Sequence, residues 1–243
     1  MGILEQYSSR NISFQSDALN AVLGILKSFR SEPDHVGSVW AVPFGDDATT
    51  NKTPNPRFCL YWRNTESSTR RQGFPSWSPL GWEGSKRFYQ FQHPISSSST
   101  WALWEPCDRQ YSTVTATGVS HELFLTAYIL RLFVEFKYDE DGGYRVLGVV
   151  LPTPEDTWSP IHWDDSDTEK DDLKSVLCAL TFTREFATDY GHSSYYTVYS
   201  VIILEARGEK YERKGISQLN FNNHGKRPEK WFEDRVKQTI ILV

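Results

Sequence analysis

Residues Glu122–Leu151 read ELFLTAYILRLFVEFKYDEDGGYRVLGVVL, two long apolar runs around the turn-forming residues DEDGG. Within it Tyr128, Leu130, Leu132, Val134 and Phe136 alternate with their neighbours, the period of a strand. A helix would instead line up Leu123, Ala127, Leu130 and Val134 on one face. Phe, Thr, Tyr, Ile and Val dominate from Phe124 onward, and these pack best on a pleated surface. The stretch therefore predicts an antiparallel hairpin turning at DEDGG.

Working outward, Val198–Glu205 is rich in β-branched residues and ARGEKY turns the chain into a further strand, so a second hairpin follows. DLKSVLCALTFTRE fits a short helix or a strand with a helical lead. EKWFEDRVKQTIILV offers an amphipathic turn and then a closing strand, Thr239 to Val243. Upstream, SVWAVPF (Ser38 to Phe44), RFCLYWR (Arg57 to Arg63) and KRFYQF (Lys86 to Phe91) read as short strands, the first two separated by the polar loop GDDATTNKTPNP. Before them Leu19, Val22, Leu23, Leu26 and Phe29 recur at helical spacing, with Ser13 or Ser16 to cap the helix and Asp17 at its positive end. The sequence predicts one α+β domain over residues 1–243, mainly antiparallel strands and hairpins with an N-terminal amphipathic helix, and a serine-rich connector at 93–100.

Composition narrows the function classes. With 39% hydrophobic and 23% charged residues, the 243-residue chain reads as a soluble globular protein. A net charge of −5 with dispersed basic residues argues against nucleic acid. No run approaches the length of a membrane span, the first residues lack a signal-peptide pattern, and Gln6 stands where myristoylation after Gly2 wants Ser or Thr, so a cytoplasmic protein without a membrane partner is expected. Cys59, Cys107 and Cys178 are too far apart for a zinc or redox motif and read as buried thiols.

The segment RRQGFPSWSPLGWEG, Arg70 to Gly84, concentrates Phe74, Trp77 and Trp82 with two prolines, three glycines and two leading arginines. Its FPSWSPLGWEG portion resembles the FPSWSWAGW.G element found after the conserved domain of fungal heterokaryon incompatibility (HET) proteins. In the same order, YSSRNISFQSDALNAVLGIL (Tyr7 to Leu26) resembles that family's Y..R.LT..SDAL.AF.GI, WAVPF its GLP stretch, and CLYW its LLW. Late in the chain, VIILEARGEKYERKGISQL resembles the L.L....G.YERVG strand pair, and TIILV the closing strand. The motifs of the HET domain itself, similar to Y.ALSYVWG and LWIDA.CI.Q, do not occur. Pro79-Leu80 replaces the family's Trp-Ala. The resemblance implies a C-terminal companion region of a HET protein, a non-enzymatic part that recognises or restrains a death-inducing domain, with a HET-type domain in another chain as protein partner.

Arg70, Arg71, Trp77 and Trp82 are the candidate ligand- or partner-binding residues, as a stacking platform for a sugar, nucleotide or peptide. The competing reading, which the packing habits of tryptophan favour, is a structural clasp over the core. Asp164, Asp165 and Asp167 in HWDDSDTEKDD could offer oxygen ligands to a divalent cation, but the EF-hand glycine and terminal glutamate are missing and a solvated acidic loop is expected. GHSS at Gly191 to Ser194 lacks the second glycine of a nucleophile elbow, and neither a phosphate loop nor a dinucleotide fingerprint is present. The sequence therefore predicts no catalytic residues, no metal and no cofactor. A carbohydrate- or small-molecule-binding module, or a hydrolase whose site leaves no motif, are the alternatives.

Overall fold

The computed structural model describes residues 3–10, 17–29, 36–45, 60, 62–66, 68–88, 109–110, 113–116, 121–138, 145–150, 158–164, 173–187, 195–223 and 236–243. Two helices open the chain, α1 (Ile3–Ser8) and α2 (Asp17–Phe29). Of the residues whose apolar spacing predicts α2, Val22 is buried and Leu19 and Leu23 are half-buried, with Ala18 buried beside them, while the capping serines lie outside the described residues. Two small antiparallel pairs follow: β1 (Val36–Val39) with β2 (Val42–Gly45), and β3 (Trp62–Asn64) with β4 (Lys86–Phe88). The β1–β2 turn is Trp40-Ala41 with φ of 50° and 64°, the left-handed pair of a type I′ hairpin, made here without glycine or asparagine.

The rest of the described strands form one nine-stranded sheet. They are β5 (Arg109–Gln110), β6 (Thr113–Ala116), β7 (Leu123–Tyr138), β8 (Arg145–Val150), β9 (Trp158–Trp163), β10 (Ser175–Ala187), β11 (Tyr195–Arg207), β12 (Lys210–Asn223) and β13 (Lys237–Leu242). Both predicted hairpins are present, β7–β8 with Phe133 opposite Val150, and β11–β12 with Arg207 opposite Lys210. The ambiguous DLKSVLCALTFTRE segment resolves as strand β10.

The pairings close on themselves. Every step of β7–β8–β9–β12–β11–β10 and back to β7 is an antiparallel ladder. A second circuit shares β7, β10, β11 and β12 but is completed by β13, which pairs antiparallel with the first half of β7 and touches β12 in parallel at Tyr211 and Leu242. Closure removes the unpaired edges that invite aggregation. β10 and β11 bury both faces where they form the shared wall, which is why VLCAL and VIIL read as continuous apolar runs, whereas β7 alternates and turns one buried face to each circuit in its two halves. Leu130, Leu132, Val134, Cys178, Leu180, Val201 and Ile203 face the first circuit, with Leu147, Val149 and Ile161 from β8 and β9. Leu123, Leu125, Ala127, Ala179, Ile202 and Leu204 face the other way, against Ile240 and Leu242 of β13.

Two sequence expectations are corrected: SVWAVPF (Ser38 to Phe44), read as a short strand, reverses at Trp40-Ala41 and belongs to the β1–β2 hairpin. The whole of PTPEDTWSPIHWDDSDTEKDD, Pro152 to Asp172, reads as a long acidic loop, but Trp158–Trp163 within it is strand β9, seated between β8 and β12. Pro160 and the surrounding acids hide it, because proline cannot donate to a ladder and argues against strand on sequence grounds. Ser159 and Ile161 are nevertheless buried at alternate positions. Two glycines permit the tight wall here: a Cβ on Gly148 would stand 2.3 Å from the Trp158 ring, and one on Gly215 2.4 Å from the His162 carbonyl.

Candidate functional site

Arg70–Gly84 folds as a clasp closed at its ends, where Arg70 and Trp82 form an antiparallel bridge and the Glu83 N–H donates to Thr69 O at 3.0 Å. At its tip Ser78 caps a short 3₁₀ turn, Pro79–Gly81, by accepting from the Leu80 N–H at 3.0 Å. Proline suits that first position because its missing donor is not needed there. Gly81 is fixed by crowding: a Cβ would fall 2.2 Å from Pro75 O and 2.7 Å from Arg70 Nη1.

The two arginines turn inward to the loop's own carbonyls. Arg70 Nη1 donates to Gly81 O at 2.8 Å and to Arg71 O at 2.9 Å, and its guanidinium carbon lies 5.3 Å from the centre of the Trp82 ring. Arg71 Nη1 donates to Trp82 O at 2.9 Å and Leu80 O at 3.2 Å. Burial lowers the pKa of both guanidinium groups, and nearby carboxylates, Glu212 and Asp164 for Arg70 and Glu83 for Arg71, partly offset this.

The tryptophans turn inward too. Trp77 and Trp82 are 0% and 1% exposed. Trp77 packs with Val42, Leu60 and the second-circuit residues, and its indole N–H donates to His121 O at 3.0 Å. Trp82 donates to Ser76 O at 2.8 Å. Ser76, fully buried, is a knot: its N–H and hydroxyl both donate to Val243 O, and its oxygen accepts the Arg213 N–H at 3.0 Å. Ser78 adds a bond to Trp40 O at 2.7 Å, and Trp62 reaches Trp77 O at 3.2 Å.

Below this knot lies a charged pair that sequence reasoning missed. Arg213 of β12 and Asp164 at the end of β9 both have fully buried side chains, joined by Arg213 Nε to Asp164 Oδ2 at 3.1 Å and Nη2 to Oδ1 at 3.3 Å. The same guanidinium donates to Trp62 O and stacks 3.5 Å from the centre of the Trp62 ring. Asn64 Nδ2 donates to Asp164 O at 2.8 Å. Asp164 is thus committed to Arg213, whereas Asp165 and Asp167 lie outside the described residues. The sequence carries no clear signal for it, because Arg213 stands between Glu212 and Lys214 in a strand, KYERKGISQLNFNN, that is rich in charged and amide residues.

Lys86, at the start of β4, is the other missed residue. It is 3% exposed, with Nζ donating to Glu83 O at 2.6 Å and Gly84 O at 2.7 Å. Burial, with smaller contributions from the cations Arg71 and Arg213, pushes its pKa down to about 7 against the pull of Asp164 and Glu83. It lines a cavity of about 30 Å³ between the helices and the clasp.

The four predicted site residues are therefore neighbours, but the two tryptophan rings are buried and the half-buried arginines donate to the loop's own carbonyls. A stacking platform needs solvent-facing rings, which Trp77 and Trp82 do not supply. Gly191 to Ser194 lies outside the described residues, and among those described no three His, Cys, Asp or Glu side chains gather as a metal site. No described helix is long and apolar enough to cross a membrane.

Neither family models, curated proteins nor solved structures give a match. The site therefore stands on its own geometry, in which Lys86 is bonded to the clasp through Glu83 and Gly84 and feels the charges of the Asp164–Arg213 pair.

Proposed function

We propose that this chain is a non-enzymatic recognition region of a HET-like fungal protein, which binds and restrains a death-inducing HET domain, supplied in another chain, during non-self recognition in the cytoplasm. One observation carries the reading. The segments that resemble the HET companion region are scattered from Tyr7 to Val243, yet they are joined around the clasp. Tyr7 and Val22 pack in one cluster with Phe74 and Leu80 of the clasp, Ser78 holds Trp40, Trp62 holds Trp77, Arg213 of YERKG holds Trp62, and Ser76 holds Val243. A set of chance local likenesses has no reason to be mutually bonded. The arrangement is that of a rigid frame whose cations and tryptophans serve assembly, which suits a surface presented to a protein partner better than a reaction centre.

The test is direct. The purified chain is titrated calorimetrically against a purified HET domain, and co-expressed with that domain in a fungal host whose growth the domain arrests. Saturable binding with restored growth supports the reading; no heat of binding and unrelieved arrest reject it.

A further inference from the structure

We propose that the cavity between α1, α2 and the clasp is a binding site for a small carboxylate anion of acetate size, held by the guanidinium of Arg71 and the ammonium of Lys86. The inference is independent of any HET partnership. Both cations line the cavity, and both have donor capacity to spare. Arg71 Nε is buried without a hydrogen-bond partner. Lys86 Nζ gives two of its three protons to Glu83 O and Gly84 O. A buried donor left without an acceptor is destabilising. An anion accepting from both groups would remove that penalty and offset the repulsion between them.

Size and lining select the ligand. One water needs roughly 10–15 Å³ of such space, and the cavity offers about 30 Å³. Val22, Ala41 and Leu80, which pack in one apolar cluster, give it a lining for a methyl group. A phosphate, with four oxygens and greater charge, exceeds what two donors and an apolar wall can satisfy.

The charges around Lys86 come from every element packed on it: Arg71 and Glu83 of the clasp, Asp164 at the end of β9, Arg213 of β12, and on α1 Tyr7 with Glu5, whose carboxylate accepts the Phe88 N–H at 2.9 Å. Asp164 and Arg213 are paired with each other. Because Lys86 titrates at about 7, its ammonium fraction falls from about nine-tenths at pH 6 to about one-tenth at pH 8, and acetate affinity should fall about tenfold over that interval.

The experiment follows Trp fluorescence and melting temperature of the whole chain with sodium acetate, sodium chloride and acetamide at fixed ionic strength. The expected result is a saturable response to acetate alone, about tenfold weaker at pH 8 than at pH 6. It should be lost in Lys86→Met and in Val22→Leu, which fills the cavity and leaves both cations. If Lys86→Met does not fold, Val22→Leu decides. An equal response to chloride, no saturation, or an unaltered response in Val22→Leu overturns the proposal.

Discussion

At the residue scale the clasp behaves as core. Truncating Trp82 or Trp77 to alanine removes a fully buried ring and orphans Ser76 O or His121 O, so each should cost about 3–5 kcal/mol in urea unfolding. Ser76→Ala, nearly isosteric, should still cost about 1–3 kcal/mol because it strands a buried donor at Arg213. The Arg213–Asp164 pair makes a sharper case. Asp164→Ala leaves an unpaired buried guanidinium and should destabilise by about 3–5 kcal/mol, whereas the double change Arg213→Met with Asp164→Leu should recover most of that loss. A double variant no more stable than Asp164→Ala would refute the account, and guanidine or urea midpoints of the three proteins are enough to tell.

At the element scale the hairpins differ in how their turns are specified. Gly208 has φ of 64°, Glu209 does not share the left-handed region, and Arg207 faces Lys210, the pattern of a type II′ turn with glycine first. Space is not the constraint, since nothing lies within 4 Å of a Cβ there. Gly208→Val should therefore lose about 1–2 kcal/mol through backbone strain alone, and Gly208→Asn a smaller amount. At Gly81 the order reverses: crowding decides, and even alanine should prevent the clasp from closing, seen as loss of the near-ultraviolet tryptophan signal. The Trp40-Ala41 turn was invisible in the sequence because it uses neither glycine nor asparagine. Trp40 is held in place by edge-on contacts with Phe74 and His121, centroids 5.9 and 4.6 Å away, so tertiary packing offsets the local strain.

At the scale of the whole molecule, buried titratable groups make stability depend on pH. Lys86 is lowered from 10.5 to about 7 and His162 from 6.5 to about 4, the latter by burial first and then by Arg63, whose Nη1 lies 2.8 Å from Nδ1. In both cases the unfolded chain binds the proton at higher pH than the folded one. Stability should therefore rise with pH between about 4 and 6.5 through His162 and between about 7 and 10.5 through Lys86. Urea midpoints across pH should show both slopes; Lys86→Met should flatten the upper one and His162→Gln the lower. Cys178, whose thiol burial pushes up strongly, should react with a thiol reagent only on unfolding.

What the sequence determined by itself is local: the alternation of β7, the β-branched runs of β11, the helical spacing of α2 and the turn residues of two hairpins, because these depend on periodicity and backbone preference. The clasp was legible as a unit through its aromatic, proline and glycine content, including its packing role. Only the tertiary structure decided that β7, β10, β11 and β12 serve two circuits, since a run such as VLCAL says both faces are buried without saying by what. It also decided the fate of the charges. Arg213 and Asp164 stand 49 positions apart, and Lys86 is an ordinary surface residue by composition. Their burial follows from closure of the sheet under the clasp, a long-range event whose energy no local window contains.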